Sequence, residues 1–237
     1  MKILLLSIDT PREITESLAA LGYKIFALPR HEKLPTAIAS HPDSLVFRGK
    51  DRIILDEEYY LKNRELFSEI SSICPTLRID LSSDTLSKKY PYDARLNAIS
   101  LGKRLFCKAA TISRKILDYA DDYSLEVIDT KQGYPACSTL KITENAVICA
   151  DGGLAKTYRS CGITVYEIAS GGISLPPYEY GFIGGASVRI EGTVCFFGDL
   201  ASHPSERAVY DTLRDYSLSV VSLGGGILRD LGGGILL

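Results

Sequence analysis

The sequence predicts an α/β fold: a pseudo-symmetric propeller of five blades, each built from a ββαβ repeat. Three observations lead to this prediction. A unit of strand, tight turn, strand, helix and strand recurs along the 237 residues. Two strands precede every predicted helix, and the turns between them are too short for a crossover, so an open α/β sheet fits less well. One unit lacks a first strand, and the C-terminal tail supplies it, which predicts closure by pairing of the C-terminal and N-terminal strands.

The clearest copies of the unit begin at Asp43, Cys137 and Ala186. Asp43 opens DSLVF-RGKD-RIILD, Cys137 opens CSTLKI-TEN-AVICAD, and Ala186 opens ASVRI-EG-TVCFFGD. An amphipathic helix and a third strand follow each hairpin. A weaker copy comprises the hairpin LNAIS-LGKR-LFCKA, the helix TISRKILDYADDY and the strand SLEVID. One copy cannot bury its own apolar face, so the repeats must pack against one another.

The N-terminus supplies the remaining copy, with the strand KILLLSID, the helix PREITESLAAL and the strand YKIFALP. Pro11 suits the first helical turn, and Gly22 suits the end of the helix. The tail GGGILL (232–237) is the missing first strand. We therefore expect a single domain over residues 1–237, with repeats of roughly 47 residues. The predicted repeats span 1–30 with 230–237, 42–81, 94–129, 136–169 and 185–223.

In four units an aspartate ends the second strand: Asp9, Asp56, Asp151 and Asp199. A carboxylate at this position accepts hydrogen bonds from the free amides of the following helix and complements its dipole. We therefore predict that these aspartates are helix caps, and not catalytic groups. The third unit has Lys108 instead.

Composition excludes several classes of function. The 27 Lys and Arg nearly balance the 29 Asp and Glu, which argues against a general nucleic-acid binder. The opening MKILLLSID is too short to span a membrane and is interrupted by Asp9, so we expect a buried strand and no membrane association. The six cysteines form no CxxC pair and no ligand spacing with the three histidines. We interpret them as reduced thiols of a cytoplasmic protein and expect no cofactor and no metal. The oligomeric state stays open.

The five repeats, together with GYPACST (133–139), YEYGFIGGAS (178–187) and the tail LRDLGGGILL, resemble the pentein superfamily and a clostridial-type branch of it. Penteins are five-bladed α/β propellers that include guanidino-modifying enzymes. The resemblance implies a Cys nucleophile near the C-terminus, a His, and two acidic groups that hold a cationic substrate. The matching tail, residues 232–237, contains no Cys. The superfamily's covalent attack on the guanidinium carbon is therefore not expected from this position.

Alignment of the hairpins places Asp43, Asn97, Cys137 and Ala186 at equivalent positions near the propeller axis, with Asp230 just before the last strand. The segments that lead there are rich in Gly, Pro and Tyr, which suit tight turns and backbone approach to a ligand. Crowding around an axis also demands small residues and turn caps, and explains the same residues equally well. If a cleft opens at the axis, its predicted binding residues are Asp43, Asp93, Arg95, Asn97, Tyr134, Ser138, Ser187 and Asp230, and its predicted walls include Tyr90, Tyr92 and Tyr180.

Two residues are candidates for catalysis. Cys137, at the symmetry-related position of another unit, is a candidate displaced nucleophile, provided that a cation such as Arg95 or a His lowers its pKa. The alternative, a small buried thiol, is the commoner role for Cys. His41, in HPD (41–43), is the best candidate acid or base because we place it at the start of a first strand. His203 is expected to be structural, beside a helix start at Pro204, and His31 is expected to face solvent.

Three functions remain open on the sequence. The first is a small-molecule binding cleft on the axis, with cationic guanidino or amine compounds as ligands. The second is a hydrolase or transferase acting on C–N bonds through Cys137. The third is a non-catalytic interaction protein similar to the ribosomal anti-association factor, which the balanced charge disfavours. The missing tail Cys favours the first and third, and the polar turns near the axis favour the first and second.

Overall fold

The structure is a computed structural model and describes residues 2–237. The helices are α1 (Arg12–Ala20), α2 (Pro42–Leu45), α3 (Glu57–Lys62), α4 (Arg64–Ile73), α5 (Arg114–Asp122), α6 (Gly152–Ser160) and α7 (Glu206–Asp215). The strands are β1 (Lys2–Ser7), β2 (Tyr23–Leu28), β3 (Val46–Arg48), β4 (Arg52–Asp56), β5 (Arg78–Ser82), β6 (Ile99–Leu101), β7 (Arg104–Cys107), β8 (Glu126–Asp129), β9 (Thr139–Thr143), β10 (Ala146–Cys149), β11 (Thr164–Glu167), β12 (Ile173–Ser174), β13 (Ser187–Ile190), β14 (Thr193–Phe197), β15 (Ser219–Leu223), β16 (Leu228–Arg229) and β17 (Ile235–Leu236).

Small three-stranded sheets are the repeating element of this mixed α/β fold. Their strand orders are β17-β1-β2, β3-β4-β5, β6-β7-β8, β9-β10-β11 and β13-β14-β15. In each sheet the first strand runs antiparallel to the second, and the second runs parallel to the third across an intervening helix. The short parallel pair β12-β16 joins two of the connecting segments. The strand order predicted for each repeat is confirmed.

The two ends of the chain meet in one sheet. Leu4 pairs with Leu236 and Leu5 pairs with Ile235, in antiparallel register. Beyond the register, the amide of Leu237 donates to the carbonyl of Ile3 at 2.9 Å. The predicted pairing of the C-terminal and N-terminal strands is confirmed.

The longer helices each bury one apolar face, and α5 and α6 also contact the sheet before their own: Tyr119 packs on Phe47 of β3, and Tyr158 packs on Phe106 of β7. On α5 the buried side chains include Ile116 and Tyr119, and on α7 they are Val209 and Leu213. Their spacing of three or four residues is the helical period that predicts an amphipathic helix. No helix within residues 2–237 has the length and apolar character needed to cross a bilayer.

Three of the four predicted aspartate caps are confirmed. Asp56 accepts a hydrogen bond from the amide of Tyr59 at 2.8 Å, and Asp151 accepts one from Leu154 at 2.7 Å. Asp199 caps the short 3₁₀ helix Leu200–Ser202 in the same way.

The prediction for Asp9 is wrong. Its carboxylate accepts hydrogen bonds from Arg30 at 2.6 Å and from Ser40 at 2.6 Å, and α1 begins after Pro11 without a side-chain cap. Proline already presets the first helical turn and has no N–H to cap, so the carboxylate is free to join two other segments.

The polar segment PRHEKLPT suggested that His31 faces solvent, and this prediction is wrong. Its side chain is buried, its ring stacks on Tyr59 at 5.5 Å between centroids, and its Nε2 lies 3.2 Å from Asp56 Oδ1. The segment folds over the start of α3, where an imidazole supplies both an apolar face and a polar partner for the capping carboxylate.

The segment HPD is also not the start of a strand. Pro42 opens the one-turn helix α2, and Asp43 lies within it, three residues before β3. Proline at the first position of a helix forfeits no hydrogen bond, which explains why a helical turn forms there.

Three of the cysteines are small apolar side chains of the core. Cys107, Cys149 and Cys195 lie in second strands and are fully buried. All six cysteines are unpaired thiols.

Candidate functional site

A cleft of about 530 Å³ opens where the segments that precede four of the first strands converge. This volume is in the range of small-molecule sites. Each segment contributes side chains to the lining: Ile38, His41 and Ser44 before β3; Tyr90 and Asp93 before β6; Tyr134 and Cys137 before β9; and Leu175, Tyr178, Glu179, Tyr180 and Phe182 before β13, with Asp151 at the edge. We call this the aromatic cleft.

The walls of the aromatic cleft are tyrosines and carboxylates. Tyr90 and Tyr134 pack with their ring centroids 5.9 Å apart, and Tyr178 and Tyr180 are exposed on the other wall. Among the described residues that line the cleft, none is Lys or Arg. Faces of aromatic rings and carboxylates both attract cations, so the lining is complementary to a positively charged ligand.

Asp93 is the most enclosed carboxylate of the aromatic cleft. It is 4% exposed, and its Oδ1 has no hydrogen-bond partner in the described structure. Burial raises the pKa of Asp93, against a smaller lowering effect of Tyr134. A buried carboxylate oxygen without a partner is costly, so a cationic group that enters the cleft and pairs with Asp93 Oδ1 would be favoured.

Four side chains from three distant segments meet at the floor of the cleft: His41, Asp43, Cys137 and Asp230. We call them the floor cluster. Cys137 Sγ lies 3.5 Å and 3.7 Å from the two carboxylate oxygens of Asp230, and His41 Nδ1 lies 3.7 Å from Asp230 Oδ1. The ligand atoms of His41, Cys137 and Asp230 all lie within 4.8 Å of one another. Asp43 is half-buried beside them, and its Oδ2 atom is buried without a partner.

Burial dominates the electrostatics of the floor cluster. It raises the pKa of Asp43 to about 8, with a further contribution from the charge of Asp230. It also raises the pKa of the Cys137 thiol well above its ordinary value, and the charges of Asp230 and Asp43 act in the same direction. Burial lowers the pKa of His41, although the nearby carboxylates of Asp230 and Asp9 oppose the shift. In the protein alone, Cys137 is therefore a thiol and His41 is a neutral imidazole at neutral pH.

The glycine-rich segments hold the floor cluster in place. Asp230 Oδ2 accepts a hydrogen bond from the amide of Phe182 at 2.8 Å, and Asp230 Oδ1 accepts one from Gly232 at 3.0 Å. A Cβ added at Gly185 would lie 2.0 Å from Asp230 Oδ1, so only glycine lets this backbone pass the carboxylate. The GFIGGAS segment and the tail therefore orient Asp230 toward Cys137.

The structure brings six of the residues predicted from the sequence to one place. His41, Asp93, Tyr134 and Cys137 line the aromatic cleft, and Asp43 and Asp230 lie in its floor. Tyr90 and Tyr180 are walls, as expected, whereas Tyr92 is not part of the lining and packs against the guanidinium of Arg95.

The other four predicted binding residues lie outside the lining. Arg95 is 3.6 Å from Asp84, and Asn97 bridges two segments by donating to the carbonyl of Asp43 and accepting from the amide of Ala136. Ser138 accepts a hydrogen bond from Gln132, and Ser187 donates one to the carbonyl of Ile183. Asn97, Ser138 and Ser187 are buried, and these hydrogen bonds join or brace the loops behind the site.

Sequence reasoning missed several side chains of the cleft, chiefly Ser44, Tyr178 and Glu179. The sequence contained a signal for two of them, Tyr178 and Glu179. Glu179 lies between two tyrosines in YEYGFIGG, and an exposed acidic-aromatic cluster that leads into a glycine-rich turn is a sign of a binding loop. Ser44 had no such signal, because its position depends on the unexpected helix α2.

Several solved structures have a similar fold. A dimethylarginine dimethylaminohydrolase in an adduct with 4-chloro-2-hydroxymethylpyridine aligns with a TM-score of 0.57 at 12% identity, covering 94% of this chain and 92% of that chain. A mutant of the Pseudomonas aeruginosa enzyme, complexed with citrulline, aligns with a TM-score of 0.57 at 13% identity, over 94% and 91% of the two chains. The agmatine deiminase of C. jejuni gives 0.52 at 10% identity, over 94% and 87%. At these identities the likeness establishes the fold alone.

These structural neighbours are members of the pentein superfamily that the sequence resembles. No curated protein matches the sequence. A family model described as a family of unknown function, DUF6873, matches residues 5–236, nearly the whole chain. The chain therefore belongs to the family DUF6873, and its mixed α/β fold of small sheets is similar to that of the pentein enzymes.

Proposed function

We propose that this protein binds a small cationic molecule, of the amine or guanidino class, in the aromatic cleft. The observation that carries the proposal is the charge of the lining: the buried Asp93 and the exposed Glu179 face a space walled by four tyrosines, and no described lining residue is Lys or Arg. A cation over a tyrosine ring gains about 0.5–2 kcal/mol, and more when water is excluded. An anionic ligand, or one without a hydrogen-bond donor, would leave Asp93 Oδ1 without a partner.

The arrangement of the five sheets around the cleft is part of the same proposal. We infer that the five three-stranded sheets close into a five-bladed ring of one domain over residues 1–237, with the aromatic cleft on its axis. The pairing of β1 with β17 supports closure, because it gives the first sheet the third strand that each of the other four sheets has. Kinship with the clostridial-type branch and a cytoplasmic location stay predictions.

A second candidate function is hydrolysis or group transfer at a guanidino C–N bond, with Cys137 as nucleophile. It is favoured by one observation: Cys137 and His41 both line the floor of the cleft that we assign to the cation. In this reaction His41 would take the proton of Cys137, the thiolate would attack the guanidinium carbon, and His41 would return the proton to the leaving amine. Water, for hydrolysis, or a second amine, for transfer, would then break the C–S bond and regenerate the thiol. The raised pKa of Cys137 opposes this function, because the thiol is the weaker nucleophile. Binding without chemistry is therefore the better-supported function.

Thermal stability in the presence of ligands tests the proposal. We expect arginine, agmatine or a related amine to raise the melting temperature of the protein, since a ligand at 100-fold its dissociation constant adds about 2.7 kcal/mol to the free energy of unfolding. Asp93→Asn keeps the shape of the side chain and removes its charge, so it should weaken binding by about tenfold or more. Asp121→Asn, on an exposed position of α5, is the matched control and should leave the shift unchanged.

The outcomes separate the candidate functions. A shift that survives Asp93→Asn unchanged contradicts the proposed cleft. No shift with any cationic compound contradicts cation binding altogether. Release of ammonia or an amine from arginine or agmatine, lost in Cys137→Ser and retained in Cys149→Ser, would establish the second candidate and displace the first.

A further inference from the structure

We propose that His41, Cys137 and Asp230 bind a zinc ion at the floor of the aromatic cleft, with the fourth coordination position facing the cleft. The sequence predicts no metal site, because no two of these residues are near one another along the chain. The fold brings them together from the segment before β3, the segment before β9 and the link between β16 and β17.

The distances between the ligand atoms fit a tetrahedral ion. Zinc bonds of about 2.0–2.3 Å to nitrogen, oxygen and sulfur place the ligand atoms of a tetrahedron about 3.3–3.8 Å apart. Cys137 Sγ and His41 Nδ1 each lie 3.7 Å from the same oxygen of Asp230, Oδ1. An N–O separation of 3.7 Å is too long for a hydrogen bond. The His41–Asp230 pair is therefore spaced for a shared ion, whereas the Cys137 thiol donates weak hydrogen bonds to Asp230 that bonds to zinc would replace.

Two polar atoms of the floor cluster lack hydrogen-bond partners. His41 Nδ1 and Asp43 Oδ2 are buried without a hydrogen bond in the described structure. Buried polar atoms of this kind are rare, and each requires an explanation, of which an ion is one. Binding of zinc through Nδ1 would satisfy His41 and place positive charge beside Asp43.

The buried Asp230 also lacks a cationic partner: within residues 2–237 no Lys or Arg forms an ion pair with it or with the half-buried Asp43. Burial raises the pKa of Asp43 to about 8, so a bound cation would favour the ionised form of this carboxyl group. On binding zinc, Cys137 releases its proton to solvent and becomes a thiolate. The thiolate and the Asp230 carboxylate then neutralise the dication, and neutral His41 completes the ligand set. A donor set of thiolate, imidazole and carboxylate suits zinc better than magnesium or calcium, which prefer oxygen ligands.

The proposed ligands have outer contacts of the kind that surround metal sites. The amides of Phe182 and Gly232 donate to the two oxygens of Asp230, which fixes the orientation of the carboxylate. Outer contacts of this kind orient metal ligands and tune their basicity. His41 and Cys137 line the cleft, so a fourth ligand, whether water or the nitrogen of a bound amine, reaches the ion from there.

The test uses the purified full chain, stripped of metal with a chelator and titrated with zinc against a chromophoric chelator. We expect one tight site per chain. Cys137→Ser should weaken zinc binding by more than the roughly 10–100-fold that loss of an outer contact costs. Cys149→Ser removes a buried thiol outside the cluster and should bind zinc as the parent chain does.

Substitution with cobalt gives a readout that needs no variant. The parent chain loaded with Co²⁺ should show the near-ultraviolet charge-transfer band of a cobalt thiolate and the intense visible bands of a tetrahedral ion. If the protein does not take zinc from the chromophoric chelator, or if it binds Co²⁺ without a thiolate band, the proposed zinc site is wrong. Loss of the band in Cys149→Ser would place the thiolate ligand elsewhere. Measurement of amine binding on both metal-free and zinc-loaded protein keeps this test separate from that of the cation-binding proposal.

Discussion

At the scale of single residues, the glycines of residues 181–185 determine how closely the chain segments approach one another around the site. The backbone at Gly184 packs against three carbonyl groups of the segment that carries Cys137. A Cβ at Gly184 would lie 2.5 Å from the carbonyl oxygens of Ala136 and Thr139 and 2.6 Å from that of Cys137. These are backbone atoms, which cannot rotate away as a flexible side chain can.

Gly184→Ala should therefore destabilise the protein by about 1–3 kcal/mol, the usual cost of forcing an extra group into a packed interior. Gly152→Ala is the control, because a Cβ at Gly152 meets nothing within 4 Å at the start of α6. That control should be neutral or stabilising by about 0.4–1 kcal/mol. Chemical denaturation of both variants measures the difference. Equal stabilities would show that the backbone around Cys137 moves to make room for the added Cβ at little cost in free energy.

At the scale of elements, long cationic side chains connect the first strands of neighbouring sheets. No backbone ladder joins these strands to one another. Arg48 of β3 donates to the carbonyl of Leu236 in β17 at 3.2 Å, and Lys141 of β9 donates to that of Ser100 in β6 at 3.0 Å. Arg189 of β13 donates to the carbonyl of Ile142 in β9. These three side chains also line a separate cavity of about 900 Å³, and their hydrogen bonds satisfy backbone carbonyls between neighbouring sheets.

Arg48→Met keeps the apolar part of the side chain and removes its donors. We expect the free energy of unfolding to fall by about 1–3 kcal/mol, the cost of leaving buried carbonyls without partners. Arg207→Met is the matched control, because the Arg207 side chain is 91% exposed and its loss should change stability by no more than about 0.5 kcal/mol. If the two variants are equally stable, the contacts between first strands do not contribute to the stability of the fold.

The stability contributed by a second contact between units, made by Asp84, depends on pH. Asp84 accepts hydrogen bonds from the hydroxyl of Ser113 at 2.9 Å and from the amide of Arg114 at 2.8 Å, at the start of α5. Although burial alone would raise it, these hydrogen bonds and Ser82 hold the pKa of Asp84 below the ordinary value of 3.8. The carboxylate therefore stabilises the folded state fully above about pH 4, and this contribution is lost as the pH falls through the folded pKa.

Asp84→Asn should consequently be less stable than the parent chain at neutral pH, and the difference should shrink below about pH 4. Denaturation at a series of pH values measures it, with Asp121→Asn as a control expected to stay within about 0.5 kcal/mol of the parent at neutral pH. A difference between Asp84→Asn and the parent that is constant down to pH 2 would show that the charge of Asp84 does not matter.

At the scale of the whole molecule, the sequence predicts the fold much better than the site. The strand order of the five units and the pairing of the termini follow from local periodicity and from counting the repeat, both of which a single sequence contains. The exceptions arise where another segment decides the structure. His31 looks solvated in its own segment but is buried by its contacts with Asp56 and Tyr59.

The site is predictable only in part for the same reason. Alignment of the repeats places Asp43, Cys137 and Asp230 near one axis, because symmetry transfers one position to another. It cannot tell which equivalent residue faces the cleft and which braces a loop. Asn97 occupies the same position in its unit as Cys137 does in its own. Both polar atoms of the Asn97 side-chain amide, however, form hydrogen bonds to backbone groups.

Calorimetric titration of the parent chain with butylguanidinium and butylurea tests the central claim, that the aromatic cleft selects a cation. The two compounds have nearly the same shape and differ by one positive charge. We predict saturable binding of butylguanidinium at one molecule per chain, with butylurea weaker by at least about tenfold, or about 1.4 kcal/mol. Equal affinity for the two compounds, or no binding of either, would contradict the claim.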